Sequence, residues 1–505
     1  MTFTFALVCA VAVGCGTLPP CPAKGGPPWR ELTTDHFRLR TDLDEADARE
    51  AARVLEEIRA AMLTVVWPGR PEPTDRIDVV ALGSQTELRT FVPSGTFGFW
   101  LRPSIPFSGT IVIGGAPSGA NLGWISHELF HCLSHWFMTV QPPWYGEGLA
   151  TFLETLRYDR ASGRVVFGTP PSARLEAVTR RSRSSVETVS PGPRFLDAAA
   201  IGEGDEAAAY EDWACLLVHY LVNTHLKAFG RIQERLGLLS SAREAWTLEL
   251  PDVPPERLRD VLLDYLHRGK FSVGDARVTV PTLIIALRTM SDAEVHSVRA
   301  HLYGVSASFV PQRQKEVSES LRLDPGAVES TALKFYDLSP KTQGSERSDL
   351  ATRVQTTHPE HWMSWLMVAD ATVGRARRTA LVRALRLGLE QAPVLSRFAA
   401  LEGEEGRWGE ALSFSVKAVR RRSAEPELFF THMHAAGNVG RCAEGARFAQ
   451  ALSGMVHPGH RKEIADAWAT LEPRCKLVEA EKARLESQPA APATPLGDAS
   501  PEVPP

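Results

Sequence analysis

The sequence predicts an α+β domain followed by an all-α domain of stacked helical pairs, and two observations support that division. Through the first half, short β-branched stretches alternate with amphipathic helical stretches, as a sheet covered by helices requires. Beyond about residue 360 the strand signals stop. Gly374-Arg375, Gly406-Arg407 and Gly440-Arg441 then follow one another at intervals of thirty-two and thirty-four residues, with Pro393, Pro426 and Pro458 in step. A period near thirty-four is that of helix-turn-helix repeats, each of which buries its apolar face only by stacking on the next.

In chain order, MTFTFALVCAVAVGCG is apolar and ends in Ala12-Val13-Gly14-Cys15. A small residue before a cysteine after such a run resembles a bacterial lipobox. That resemblance implies export, removal of the preceding residues and a lipid on the Cys15 thiol. The Pro- and Gly-rich stretch up to residue 28 reads as an extended tether. Residues 29–275 form the α+β domain. Phe37 to Thr41 alternates as a strand, and Asp44 to Val66 is a helix with Ala51, Val54, Leu55 and Ile58 on one face. Arg76 to Leu82 and Gly109 to Ile113 are further strands. Residues 121–157 read as two helices. Residues 158–205, polar with Arg and Ser clusters, read as loops or a lid, and 206–275 are helical. Residues 276–359 read as a helical connector. Residues 360–486 read as about three helical pairs similar to tetratricopeptide repeats, with an irregular helical bundle as the competing reading. The Pro/Ala-rich residues 487–505 are expected to be disordered.

The chemistry lies in NLGWISHELFHCLSHWFM. His127 and His131, four apart on a helix, share one face and reach one metal ion, and Glu128 between them can act on a metal-bound water. Asn121 or Ser118 offers the helix start, and Pro142-Pro143 stops its continuation. The next segment, WYGEGLATFLE, reads as a turn into a second helix that returns Glu147 beside the imidazoles as an anionic third ligand. Two neutral imidazoles, one carboxylate and a water make an open tetrahedral zinc site. Glu154 is the rival ligand, two turns further on; the preferred reading has it orient a zinc histidine through its other ring nitrogen. His135 continues the i, i+4 series and reads as a packing or orienting histidine.

HELFH followed by W-x-x-E-G-L-A resembles the gluzincin zinc metallopeptidases, and within them the aminopeptidase-N-like and related peptidase MA families. The resemblance covers roughly residues 30 to 240. It implies a thermolysin-like catalytic domain, zinc held by His127, His131 and Glu147, and Glu128 as general base. Tyr210-Glu211-Asp212-Trp213 resembles the helix whose tyrosine stabilises the oxyanion in those enzymes, so Tyr210 is the implied donor. Helical spacing from Tyr210 through Trp213, Leu217 and Leu221 equally fits a core tyrosine. By the same analogy, the strand at 109–113 lies along the cleft and pairs with extended substrate. No acid falls in GTIVIGGAPSGAN, the nearest counterpart of the stretch where that family places the glutamate that binds a substrate amino terminus. Endo- and exopeptidase action both stay open.

A balance of 56 basic against 60 acidic residues, with no long basic run, does not favour a nucleic-acid partner. No stretch after residue 16 is long and apolar enough to span a bilayer, so membrane contact is expected only through the lipid. Seven cysteines in 505 residues are no disulfide framework. Cys132 and Cys215 read as buried thiols; Cys442 and Cys475 could pair in an oxidising compartment. The expected partners are a peptide or protein substrate and a protein bound by the repeats. The alternative function is a catalytically silent lipoprotein scaffold that works through those repeats.

Overall fold

The computed structural model describes residues 18–487 apart from 74–75, 93–96, 102–106, 108, 120, 139, 184–188, 199–203, 239, 281, 389–390, 422–424 and 457. The lipobox with Cys15 and all but the first residue of the C-terminal tail lie outside the described residues. An α+β half is followed by a helical half.

The main sheet is built from β1 (Arg30–Thr33), β2 (Phe37–Thr41), β3 (Ile77–Leu82), β4 (Gly98–Leu101), β5 (Thr110–Gly114) and a late strand, Ala286–Thr289. The strands run in the order β4-β5-β3-β2-β1 and then the late strand. The three central strands β2, β3 and β5 are mutually parallel, with Leu39 opposite Val79 and Val79 opposite Ile111. Such strands are covered on both faces and need apolar residues on both. Phe37, Leu39, Val79, Ala81, Ile111 and Ile113 turn to one core, and Val80, Leu82 and Val112 to a second. A small antiparallel sheet joins β6 (Arg157–Asp159), β7 (Arg164–Phe167) and β8 (Gly274–Arg277); the late strand of the main sheet is β9.

The helices of this half are α1 (Glu45–Val66), α2 (Gln85–Leu88), α3 (Leu122–Phe137), α4 (Pro143–Leu153), α5 (Ser172–Ser182), α6 (Pro193–Leu196), α7 (Asp205–Thr224), α8 (Leu226–Gly237), α9 (Ala242–Glu249) and α10 (Leu258–Arg268). Asp44 caps α1, accepting from the Asp47 amide at 2.8 Å. The α1 face of Ala48, Ala51, Ala52, Leu55 and Met62 joins the first core with Ile125, Leu129, Phe130 and Leu133 of α3.

Four expectations need correction. The stretch read as a helical connector contributes strands first: β8 completes the small sheet, and β9 pairs antiparallel with β1. Its first long helix, α11 (Asp292–Leu302), packs Val295, Val298 and Leu302 onto the second face of the main sheet. The polar stretch 158–205 is not only loop; it holds strand β7 and the helices α5 and α6. The tether is anchored: Cys21 and Trp29 are buried against α11, and the Arg299 guanidinium donates to the Pro19 carbonyl at 2.8 Å. Finally, β5 lies between β4 and β3, so both its edges are occupied. Among the described residues β4 is the edge strand on that side.

Helices α12 (Val310–Leu323), α13 (Val328–Asp337) and α14 (Gly344–Thr357) lead into three successive pairs. These are α15 (Trp362–Ala371) with α16 (Gly374–Leu387), α17 (Ala392–Glu404) with α18 (Trp408–Val419), and α19 (Pro426–Asn438) with α20 (Cys442–Met455). The second helices start at residues 374, 408 and 442, one every thirty-four residues. A long helix, α21 (Arg461–Glu486), closes the array, and a disulfide joins Cys475 on it to Cys442 on α20. Among the described residues no helix is long and apolar enough to cross a membrane.

Candidate metal centre

The site is assembled by α3 and α4. Where β5 ends, Asn121 organises the start of α3: its amide donates to the Ala116 carbonyl at 3.2 Å and its oxygen accepts from the Ser118 amide at 2.7 Å. The helix then buries Ile125, Leu129, Phe130 and Leu133, and its adjoining face presents His127 and, one turn later, His131. The helix stops at Phe137, and α4 begins with Pro143 at its first position, where a missing N–H costs nothing. Trp144 and Tyr145 are fully buried and fix the orientation of α4, which puts Glu147 opposite the histidines.

Three ligand atoms converge. The His127 and His131 Nε2 atoms lie 3.2 Å apart, and Glu147 Oε2 lies 3.6 Å from the first and 3.5 Å from the second. In a regular tetrahedron the ligand–ligand edge is √(8/3) times the bond length. Zinc bonds of about 2.0–2.2 Å therefore need edges of about 3.3–3.6 Å. The two edges to Glu147 fall in that range and the His127–His131 edge is 0.1 Å short of it, and the donor set of two imidazoles and a carboxylate fits zinc. Burial raises the Glu147 pKa, but the two imidazoles outweigh it and hold the carboxylate well below its usual range. Burial works against protonating His127, yet Glu147 and Glu154 raise its pKa to about 10. The site thus concentrates negative potential where a cation would sit.

Glu154 is not a ligand in this arrangement. Its Oε1 accepts from His127 Nδ1 at 3.1 Å, which leaves the His127 Nε2 lone pair facing the other two ligand atoms. Glu128 is half-buried and lies within electrostatic reach of both histidines. Burial raises its pKa, His127 and His131 oppose that, and Glu147 and Glu211 add to it. A carboxylate raised in this way is better matched to accepting a proton near neutrality. His135 bonds Gln141 at 2.9 Å and faces the Trp100 ring at 6.4 Å, so it packs beside the site. The Cys215 thiol is pushed up to about 12 by burial, and burial with the neighbouring Glu128 raises Cys132; neither is a thiolate ligand.

Tyr210 on α7 departs from its expected role. Its hydroxyl donates to the Phe195 carbonyl at 2.9 Å, and its ring stacks on Phe195 at 4.3 Å. Burial and the nearby Glu147 raise its pKa, so it stands close to the ligands, but its proton is committed to backbone. Core position and proximity to the site coexist, and the free donor that the resemblance implies is not what the geometry offers.

Sequence reading missed Arg174 and Arg181, and it named Glu211 and Asp212 only as neighbours of Tyr210, with no role of their own. Arg174 on α5 donates to Glu154 Oε1 at 3.0 Å and to Asp212 and Glu211 of α7 at 3.2 and 3.3 Å, while Arg181 also pairs with Asp212. The only sequence signal was basic density in residues 174–183, which does not say which acids it meets. No protein-family model matches this chain, and no curated protein or solved structure is similar enough to it to count as a match.

Proposed function

We propose that the chain is a zinc-dependent peptidase of the gluzincin type, with a thermolysin-like arrangement of sheet and metal helices in its α+β half. The observation that supports this most strongly is the triangle of His127 Nε2, His131 Nε2 and Glu147 Oε2, edged by Glu128 and oriented by Glu154. A zinc ion bound there supplies Lewis acidity towards a carbonyl and lowers the pKa of a bound water. His127, His131 and Glu147 hold the metal. Glu128 accepts a proton at its carboxylate and returns it to the leaving amine. The β4 edge is the natural rail for an extended substrate, because edge strands recruit extended peptides by backbone pairing. In the same reading, the lipid on Cys15 anchors the protein in a bacterial cell envelope, and the helical repeats hold a protein partner or substrate.

The test uses the full chain. Metal analysis should return one zinc per molecule, and a peptide library should be cut in a chelator-sensitive way. Glu128→Gln should keep the zinc and lose about 100-fold or more in turnover, within the usual range for a general base. Zinc retained with no hydrolysis of any peptide would favour the silent scaffold, and absence of zinc would overturn the reading altogether.

A further inference from the structure

Glu154 occupies an unusual position. It caps the C-terminal end of α4, where the helix dipole is negative and a carboxylate is disfavoured. Its side chain is about one-fifth exposed. One of its oxygens, Oε1, accepts both His127 Nδ1 and an Arg174 guanidinium nitrogen. The other terminal nitrogen of Arg174 spans to Asp212 and Glu211 on α7. The charges alternate from His127 through Glu154 and Arg174 to Asp212 and Arg181, and they join α3, α4, α5 and α7.

Resting on the metal reading above, we infer that Arg174 is a positioning residue: it pins Glu154 as the outer partner of His127 and thereby couples metal affinity to the seating of α5. Without the Arg174 guanidinium, the Glu154 carboxylate loses its guanidinium partner at a negative helix end, where Arg157 bonds the backbone carbonyls of Glu154 and Leu156 rather than the carboxylate. It is then free to leave Nδ1 or to swing towards the ligand atoms and compete with Glu147. With Arg174 in place, Nδ1–H is donated outward and Nε2 keeps its lone pair for the metal. Because coupling is reciprocal, whatever fixes His127 by binding metal also favours the docked α5.

Competition with a chromophoric chelator measures zinc affinity directly, independent of turnover. Arg174→Ala should weaken zinc binding by more than about twofold and by up to the roughly 10- to 100-fold usual for losing the outer partner of a metal histidine, here Glu154, and Arg174→Lys should recover part of it. Arg160→Ala, which removes an ion pair to Glu57 and Glu50 on α1, should bind zinc as the parent does. Hydrogen exchange across residues 172–182 should slow on adding zinc to the parent and not to Arg174→Ala. If the variant does not fold, Glu154→Gln reports the same coupling. A parent that binds no zinc overturns the metal reading. A parent that binds it, with Arg174→Ala within twofold or no better than Arg160→Ala, overturns the positioning role alone.

Discussion

Replacing Gly148 with alanine perturbs the spacing that holds Glu147 in place. Helix α4 crosses α7 at this residue, and the approach is close enough to leave no room for a methyl group. A Cβ at Gly148 would stand 2.6 Å from the Ala214 carbonyl oxygen and 2.7 Å from Val218 Cγ2. The valine methyl can rotate away, but the carbonyl belongs to the α7 backbone. Carbon–oxygen contacts settle at about 3.3 Å or more, so the helices must part by roughly 0.7 Å. Overpacking of this kind costs about 1–3 kcal/mol, and backbone on both sides puts it near the upper end. The helix propensity of alanine returns about 1 kcal/mol. The net loss is about 2 kcal/mol, or roughly 4–8 °C for a folding unit of 150–250 residues. Scanning calorimetry of metal-free protein measures it. Gly230→Ala is the matched control, since a Cβ there meets nothing within 4 Å; that change should stabilise slightly. The same displacement moves Glu147, one residue away, off ligand edges of 3.5 and 3.6 Å, so zinc affinity should fall with stability. A Gly148→Ala protein that melts with the Gly230→Ala control would refute the close-packing argument.

Tyr210→Phe removes the bond to the Phe195 carbonyl, so it should cost about 1–3 kcal/mol in thermal unfolding and less than tenfold in peptide turnover; a loss of about 100-fold or more at unchanged stability would restore the oxyanion role. His301 predicts an acid limb. Burial and then Arg40 lower its pKa from 6.5 to about 4, and its Nε2 bonds Thr110 Oγ1 at 3.2 Å. The folded state therefore favours the neutral ring. The associated stability, about 3 kcal/mol, is complete above pH 6.5 and is lost as the pH falls towards 4. His301→Gln should flatten denaturant midpoints over that window, and an unchanged slope would count against the assignment.

What the sequence revealed of the site was what helical spacing alone decides. His127 and His131 meet because four residues make one turn, and Glu147 and Glu154 are two turns apart on α4 for the same reason. Arg174 could not be read, because its meaning lies in three acids on two other helices. Two elements of the sheet were equally hidden. β9 is four residues long and pairs with β1 across more than 250 residues, so no local pattern announces it. β4 displaced β5 from the open edge, and strand order is not written in alternation. The stretch near Cys21 misled in the opposite way: proline and glycine suggested a tether, but the buried Cys21 side chain seats it against the core beside Trp29, the first residue of the domain. The repeat period was legible because it is counted along the chain, and it reappears as helix starts at 374, 408 and 442.

The turn from α3 to α4, between Phe137 and Pro143, sets the spacing between His131 and Glu147. Gln141 donates to Ser134 Oγ at 3.1 Å and bonds His135, tying the turn back to the last coils of α3. From outside, the helical half closes on the same turn. Val140 packs into the core formed by Leu395, Phe429 and Phe448; beside the turn, the Arg421 guanidinium lies 4.7 Å over the Trp136 ring of α3, and Arg447 pairs with Glu244 of α9 at 3.4 Å. Between the halves a cavity of about 250 Å³ remains, lined by Gln141 and Pro142 on one side and Phe429 and Met455 on the other. The turn is thus held by α3 from within and by the repeats, through Val140, from without. Packing of Val140 against the repeats therefore supports the turn that precedes Glu147, even though no residue of the repeats belongs to the candidate triangle.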